Sequence, residues 1–241
     1  MSDGVFLERE RFDTGRRGVA RLEALLFDMD GTLSDTDPVH RQAMTDTLVA
    51  QGVALNDDDF HRYVSGQSNE AIFAHFFPAL SGEERRRLAD AKEALYRDLT
   101  PRMTPMPGLV RLIDWAKAGG VACALVTNGP RPNVEHTLKV LGLTDSFDTL
   151  VLGEELPRAK PDPLPYLEAL RRLGARADRA MAFEDSRTGA AAALAAGVFT
   201  VEITGPSRAT GLHPGADLTV SDFNAQALWA RLTATEVLAN A

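Results

Sequence analysis

Asp28 and Asp30, in the stretch Asp28-Met29-Asp30-Gly31-Thr32-Leu33, are the residues of this chain best placed to do chemistry. They follow an apolar run, Ala24–Phe27, that reads as a buried strand. On an extended chain, residues two apart point to the same side. Gly31 then frees the backbone to turn away. A carboxylate pair at a strand's end can hold a hard cation and leave one oxygen for attack. That combination points to metal-assisted chemistry with a carboxylate nucleophile.

Three later stretches could complete such a site. Thr127-Asn128-Gly129 ends the apolar run Val121–Val126. A hydroxyl, an amide and a loosened backbone suit an anion, and a helix starting near Pro132 would add its N-terminal dipole. The plain alternative is an ordinary strand-to-helix turn. Lys160-Pro161-Asp162-Pro163 fixes a cation beside a rigid turn, where it could meet a phosphate. Taken alone, Lys160 reads as a solvated surface residue, and Asp162 as the cap of a helix starting at Pro163. Phe183-Glu184-Asp185-Ser186 ends another apolar run and places adjacent acids over a sheet edge. Asp185 or Ser186 could equally cap the following helix, and capping does not exclude a neighbouring metal.

The elements that must position these residues alternate. Apolar runs at Ala24–Phe27, Val121–Val126, Thr149–Leu152, Ala180–Phe183 and Val198–Ile203 read as strands, with a weaker one at Leu218–Val220. Helical spacing lies between them: Leu109, Leu112, Ile113 and Ala116; Val134, Leu138 and Leu141 before Gly142; Leu164, Leu167, Leu170 and Leu173 before Gly174. The alanine-rich segment Gly189–Ala196, closed by Gly197, suits a helix packed closely on a sheet. Strands and helices in alternation predict an α/β fold with a parallel sheet covered on both faces. The alternation breaks from about Pro38 to Thr104, where only helix-like stretches occur, at 40–51, 57–64, 69–77 and 82–99. Such an insert would stand above the carboxyl ends of the strands, where open sheets of this class bind ligands. The expected organisation is a flexible tail (1–20), a core of 21–37 and 105–241, and a helical cap of 38–104.

The 241 residues are 44% hydrophobic and 25% charged, an ordinary globular composition. With 26 basic against 34 acidic residues the net charge is −8, which disfavours nucleic acid as a partner. Cys123 is the single cysteine and sits in an apolar run, so it reads as a core thiol in a chain suited to a reducing cytoplasm. Residues 1–20 carry eight scattered charges and lack a signal peptide's apolar core, and no run of about 18 apolar residues marks a membrane span.

Together and in this order, Asp-x-Asp-Gly-Thr-Leu, Thr-Asn-Gly, Lys-Pro and Glu-Asp-Ser resemble the motifs of the haloacid dehalogenase superfamily of phosphohydrolases. The similarity runs from about Leu25 to Ile203. The helical insert is similar to the cap of the subgroup containing β-phosphoglucomutase and phosphoglycolate phosphatase. The resemblance implies a Rossmann-like doubly wound sheet and a magnesium-dependent phosphatase acting through an aspartyl-phosphate. By position it implies Asp28 as nucleophile and Asp30 as general acid/base. It implies Thr127, Asn128 and Lys160 as phosphoryl ligands. It places Mg2+ on Asp28, the Asp30 main-chain carbonyl and Asp185, with Glu184 in support. Hydrolysis of phosphate monoesters is slow enough that accelerations reach about 10²¹, so several such contributions are needed.

Asp30 separates phosphoryl transfer from carbon–halogen cleavage, because the dehalogenase branch lacks this second carboxylate. A phosphomutase is the alternative, and it needs a second phosphate site. Where sugar-phosphate relatives often carry an Arg, this chain has Gly66-Gln67-Ser68-Asn69, which offers Gln67 and Ser68 to the substrate but no charge. Arg62 and Arg131 are the substitutes. His40 matches a cap-hinge histidine that could orient substrate or Asp30, and a helix-surface histidine is the plain alternative. A non-catalytic phosphometabolite-binding module would have little reason to keep Asp28, Asp30, Lys160 and Asp185 together. The expected partner is a small phosphorylated metabolite, sugar phosphates included, for a monomer or weak homodimer without nucleic acid or membrane.

Overall fold

The computed structural model describes residues 21–64, 68–206 and 214–237. The expected tail (1–20) and Gln67 lie outside the described residues. Six strands form one parallel sheet: β1 (Ala24–Phe27), β2 (Ala122–Thr127), β3 (Thr149–Leu152), β4 (Ala180–Glu184), β5 (Phe199–Ile203) and β6 (Leu218–Val220). Their order is β3-β2-β1-β4-β5-β6. The chain therefore winds outward in one direction from β1 and then in the other from β4. The crevice at that reversal is where doubly wound sheets bind ligands.

Side chains alternate across the sheet, and the two faces have different composition. Leu25, Phe27, Cys123, Leu125, Met181, Phe183, Val201 and Ile203 fill one face. The helices α5 (Leu109–Gly119), α6 (Arg131–Leu141) and α9 (Gln226–Val237) cover it through Leu112, Ile113, Val134, Leu138, Leu228 and Leu232. Ala24, Leu26, Ala124, Val126, Ala180 and Ala182 form the other face. Its small side chains let α7 (Leu164–Leu173) and the alanine-rich α8 (Arg187–Ala195) lie close against the strands. Phe27 stacks on Phe183 with ring centroids 4.8 Å apart, directly beneath Asp28. Truncating Phe27 to Ala would cost about 3–5 kcal/mol and loosen the strand that carries Asp28.

Most element bounds match the sequence reading, with shifts at the ends. β2 and the strand expected at Val198–Ile203 each begin one residue later, while β2 extends to Thr127 and β4 to Glu184. Both extensions place site residues inside strand geometry. α6 starts at Arg131 rather than near Pro132, and α8 at Arg187, capped by Ser186, rather than at Gly189. Asp162 does not cap α7 as its N-terminal residue. It lies one residue earlier, accepting from the Leu164 N–H at 2.9 Å.

Between β1 and α5 stand α1 (Asp37–Ala50), α2 (Asp57–Asp59, continued by a π-helical turn, Phe60–Val64), α3 (Asn69–Phe76) and α4 (Gly82–Leu99). They have their own apolar cluster of Met44, Leu48, Val64, Ile72 and Phe73. Ser81 and Glu84 close a capping box that starts α4. The two chain segments leading into and out of this insert are stitched together. Met106 N–H donates to the Leu33 carbonyl at 2.8 Å, and Ser34 Oγ to the Thr104 carbonyl at 2.8 Å.

Candidate active site

Register brings the acids together. Phe27 pairs with Phe183 across β1 and β4, and the Asp28 N–H continues the ladder to the Phe183 carbonyl at 3.0 Å. Asp28 thereby stands beside Glu184. At Gly31 the backbone turns with φ +77°, and a Cβ there would fall 2.0 Å from Asp185 Oδ2. Glycine is required twice over, by the left-handed backbone and by the approach of the carboxylate. Asp28, Glu184 and Asp185 are all buried, and one oxygen of each lies within 4.8 Å of the others.

Lys160 faces this cluster. Lys160 Nζ donates to Asp28 Oδ1 at 2.6 Å, to Glu184 Oε1 at 2.6 Å and to the Val126 carbonyl at 2.7 Å. It is no surface lysine: its side chain is 3% exposed. Burial opposes its charge, but Asp28 and Glu184 outweigh that and raise its pKa. Burial pushes the Asp28 carboxyl up to about 7, against the pull of Lys160 and with the push of Glu184. Tyr166, fully buried on α7, donates its hydroxyl to Glu184 Oε1 and places its ring 5.1 Å below the Lys160 ammonium. Gly189, in the first turn of α8, leaves the space that Glu184 fills, since a Cβ there would lie 2.0 Å from both carboxylate oxygens.

Three buried carboxylates gather hard oxygens around the Lys160 ammonium. That donor set fits a small divalent cation such as Mg2+. Ser186, not Asp185, caps α8, its Oγ accepting from the Gly189 N–H at 3.0 Å. The capping alternative for Asp185 is thus closed.

Thr127 ends β2 and accepts from the Gly129 N–H at 2.9 Å, which shapes the turn before α6. Asn128 differs from expectation. Its side-chain amide is spent on the Lys160 main chain, donating to the carbonyl and accepting from the N–H, both at 3.1 Å. It ties the two loops together, with one amide hydrogen and the backbone still available to an anion.

Asp30 is held by three donors on one oxygen. His40 Nε2 lies 3.1 Å, Thr36 Oγ1 3.0 Å and the Tyr96 hydroxyl 3.3 Å from Oδ1. The other oxygen, Oδ2, faces Gly129. Lys92 Nζ lies 3.0 Å from His40 Nδ1. The imidazole thus bridges the Lys92 ammonium and the Asp30 carboxylate. Burial opposes ionisation of Asp30, but His40 and the His40 and Thr36 hydrogen bonds outweigh it and hold the carboxyl below the usual range. His40 also stacks on Tyr96, with centroids 4.0 Å apart. The helix-surface alternative for His40 is therefore closed.

The remaining expected cap residue, Ser68, caps α3 by accepting from the Ala71 N–H at 3.2 Å. Arg131, a candidate for a second phosphate, forms an ion pair with Glu155. Thr36, Lys92, Glu93, Tyr96, Asn133 and Tyr166 were not singled out by the sequence. Only the spacing of Thr36 after Asp30 and the aromatic three residues after Pro163 gave any signal.

A doubly wound α/β sheet with a helical insert, carrying buried carboxylates and one lysine at the strand ends, defines a hydrolase of the phosphoryl-transfer kind. The comparisons specify it further. Residues 25–203 match the haloacid dehalogenase-like hydrolases, and the chain belongs to that family. It is 36% identical over 219 residues to protein CbbY of Rhodobacter capsulatus, covering 86% of this chain and 96% of that one. It is 30% identical over 182 residues to the phosphorylated carbohydrates phosphatase of Thermotoga maritima, covering 73% and 82%. CbbY from Rhodobacter sphaeroides, solved in complex with phosphate, superposes with a TM-score of 0.75 at 29% identity, covering 84% of this chain and 95% of that one. A mutant of the same protein, in complex with xylulose-(1,5)bisphosphate, gives 0.75 at 28% identity with the same coverage. The chain is a phosphatase of this family.

Proposed function

We propose that this phosphatase hydrolyses a phosphorylated sugar, with Asp28 as nucleophile and Asp30 as general acid/base. The observation that carries the reading is the joint placement of Asp28, Lys160, Glu184 and Asp185 beside an Asp30 whose free oxygen faces the Thr127–Gly129 turn. Asp28 attacks phosphorus and the sugar oxygen departs, leaving an aspartyl-phosphate. That divides one hard step into two. Asp30 gives a proton to the departing oxygen and takes one from the incoming water, a contribution of about 10²–10⁴. Lys160, the Thr127 hydroxyl and the backbone of the turn hold the phosphoryl oxygens. Asp28, Asp185 and the Asp30 carbonyl, with Glu184 in support, would hold Mg2+, which when bound would neutralise charge on those oxygens.

Residues 38–104 serve as the cap over this site, and their identity selects the leaving group. A sugar phosphate, mono- or bisphosphate, is favoured by a relative named as a phosphorylated carbohydrates phosphatase and by the CbbY complex with xylulose-(1,5)bisphosphate. The mutase alternative is weakened because Arg131 is already paired with Glu155. The test is release of inorganic phosphate from a panel of pentose and hexose mono- and bisphosphates, with phosphoglycolate and p-nitrophenyl phosphate as controls. A sugar phosphate preferred at least about tenfold in kcat/KM supports the reading, since each 1.36 kcal/mol of transition-state discrimination is tenfold. Equal rates on all esters, or turnover of none, refutes it.

A further inference from the structure

We propose that Gly129 is a specificity-determining residue. By carrying no side chain it keeps room beside the free oxygen of Asp30, and so sets how branched a carbon the departing oxygen can bear. The proposal rests on Asp30 acting as the acid/base.

The glycine is not required by its backbone. Gly31, Gly142 and Gly174 hold a positive φ, and Gly129 does not. Pro130 follows it, and the residue before a proline favours extended backbone that any residue adopts. The requirement is spatial. A Cβ here would lie 2.8 Å from Met29 Cε, 3.2 Å from Thr127 Oγ1 and 3.5 Å from Asp30 Oδ2. Met29 can yield, because its Cε ends a flexible side chain. The other two neighbours are the hydroxyl and the carboxylate oxygen that the reaction uses.

Neither of those can easily move aside. The turn is pinned along its length. The Gly129 N–H donates to Thr127 Oγ1 at 2.9 Å, the Asn128 side chain holds the Lys160 main chain, and the Arg131 N–H donates to Glu154 Oε1 at 2.9 Å. Asp30 is fixed from the other side, since Oδ1 already faces His40, Thr36 and Tyr96. Oδ2 is the oxygen left to exchange a proton with the substrate.

Phosphoryl transfer sets the attacking and leaving oxygens roughly in line through phosphorus. With Asp28 on one side, the opposite place, within reach of Asp30 Oδ2, serves twice. In the first step the bond from phosphorus to the ester oxygen breaks, a bond to Asp28 forms, and Asp30 supplies the proton. In the second a water oxygen bonds to phosphorus, the bond to Asp28 breaks, and Asp30 takes a proton back. The two occupants differ in bulk. Water brings no carbon. The ester oxygen brings one, and a secondary carbon brings a further branch. Room at Gly129 therefore matters most for a secondary ester and least for water.

The test compares wild type with G129A on two isomer pairs, glycerol 1-phosphate against 2-phosphate and glucose 6-phosphate against 1-phosphate. Within each pair the phosphate moves from a primary to a secondary carbon. Decay of the isolated phosphoenzyme is timed in parallel. Gly129→Ala should lower the secondary-to-primary ratio of kcat/KM about tenfold, the low end of what one methyl group is worth in a pocket, and leave phosphoenzyme decay within about threefold. An unchanged ratio overturns the proposal. So does phosphoenzyme decay slowed as much as the secondary ester, or an equal loss on every readout, which is what a damaged fold would give. A wild type that turns over the primary esters and rejects both secondary ones overturns it as well. If D30N keeps wild-type turnover, the acid/base reading itself fails and the proposal falls with it, a result that no G129A measurement can imitate.

Discussion

Lys160→Met replaces the cation paired with Asp28 and Glu184 by an apolar chain of similar length. The wild-type ammonium makes three bonds of 2.6–2.7 Å, two of them to buried carboxylates, and its removal leaves Asp28, Glu184 and Asp185 facing one another. Removing one partner of a buried ion pair costs about 3–5 kcal/mol. A chain of this size shifts about 2–4 °C per kcal/mol, so the melting temperature in chelator should fall by roughly 6–20 °C. Saturating Mg2+ should narrow the gap, because the metal restores positive charge between the same oxygens. The pH dependence has a definite sign. Lys160 pulls down an Asp28 carboxyl that burial has already pushed up to about 7. Without Lys160 the folded value rises further above the unfolded one. A group raised in that way favours the native state at low pH and loses that contribution as pH rises through its folded value. The deficit should therefore be smaller at pH 6 than at pH 8. Scanning calorimetry at both pH values, in chelator and in Mg2+, measures all of this. A variant melting within about 2 °C of wild type in chelator at pH 8, under 1 kcal/mol on the same scale, would refute the charge balance argued here.

Asp28→Asn should abolish turnover and the hydroxylamine-sensitive phosphoenzyme, and retention of about a tenth of wild-type turnover would exclude Asp28 as nucleophile. Chelation should stop hydrolysis and Mg2+ restore it, while Ca2+, with its larger and looser shell, should inhibit; full activity in excess chelator would dispose of the metal. Gly189→Ala forces a Cβ to 2.0 Å from the Glu184 oxygens. Displacing that carboxylate should lower stability by about 1–3 kcal/mol and kcat by about a hundredfold, the scale of a 1 Å misplacement. Wild-type kcat in that variant would show that Glu184 need not stay where it is.

The sheet and its strand-end residues were legible because short-range rules govern them. Apolar runs ending in Asp28, Thr127 and Glu184 reveal buried parallel strands, and Gly142 and Gly174 mark the helix stops that the structure shows. Lys160 was legible only in company: alone, a lysine before proline looks solvated, and its burial comes from carboxylates 132 and 24 residues away. The network around Asp30 was mostly hidden for the same reason. Lys92 and Glu93 look like one charged turn of an amphipathic helix, and nothing local announces that Asn133, 40 positions on, will desolvate them. The tie from the Asn128 side chain to the Lys160 backbone was hidden too, because it joins residues 32 positions apart. Gln67 lies outside the described residues.

The paired bonds at the base of the insert, Leu33 to Met106 and Ser34 to Thr104, have an evolutionary corollary. Two chain ends held side by side make whatever lies between them a self-contained graft. Loop-closure entropy grows only slowly with length, so a longer, shorter or differently folded insert would perturb the sheet little. An exchange of one helical module for another would then leave the strand-end carboxylates where they stand.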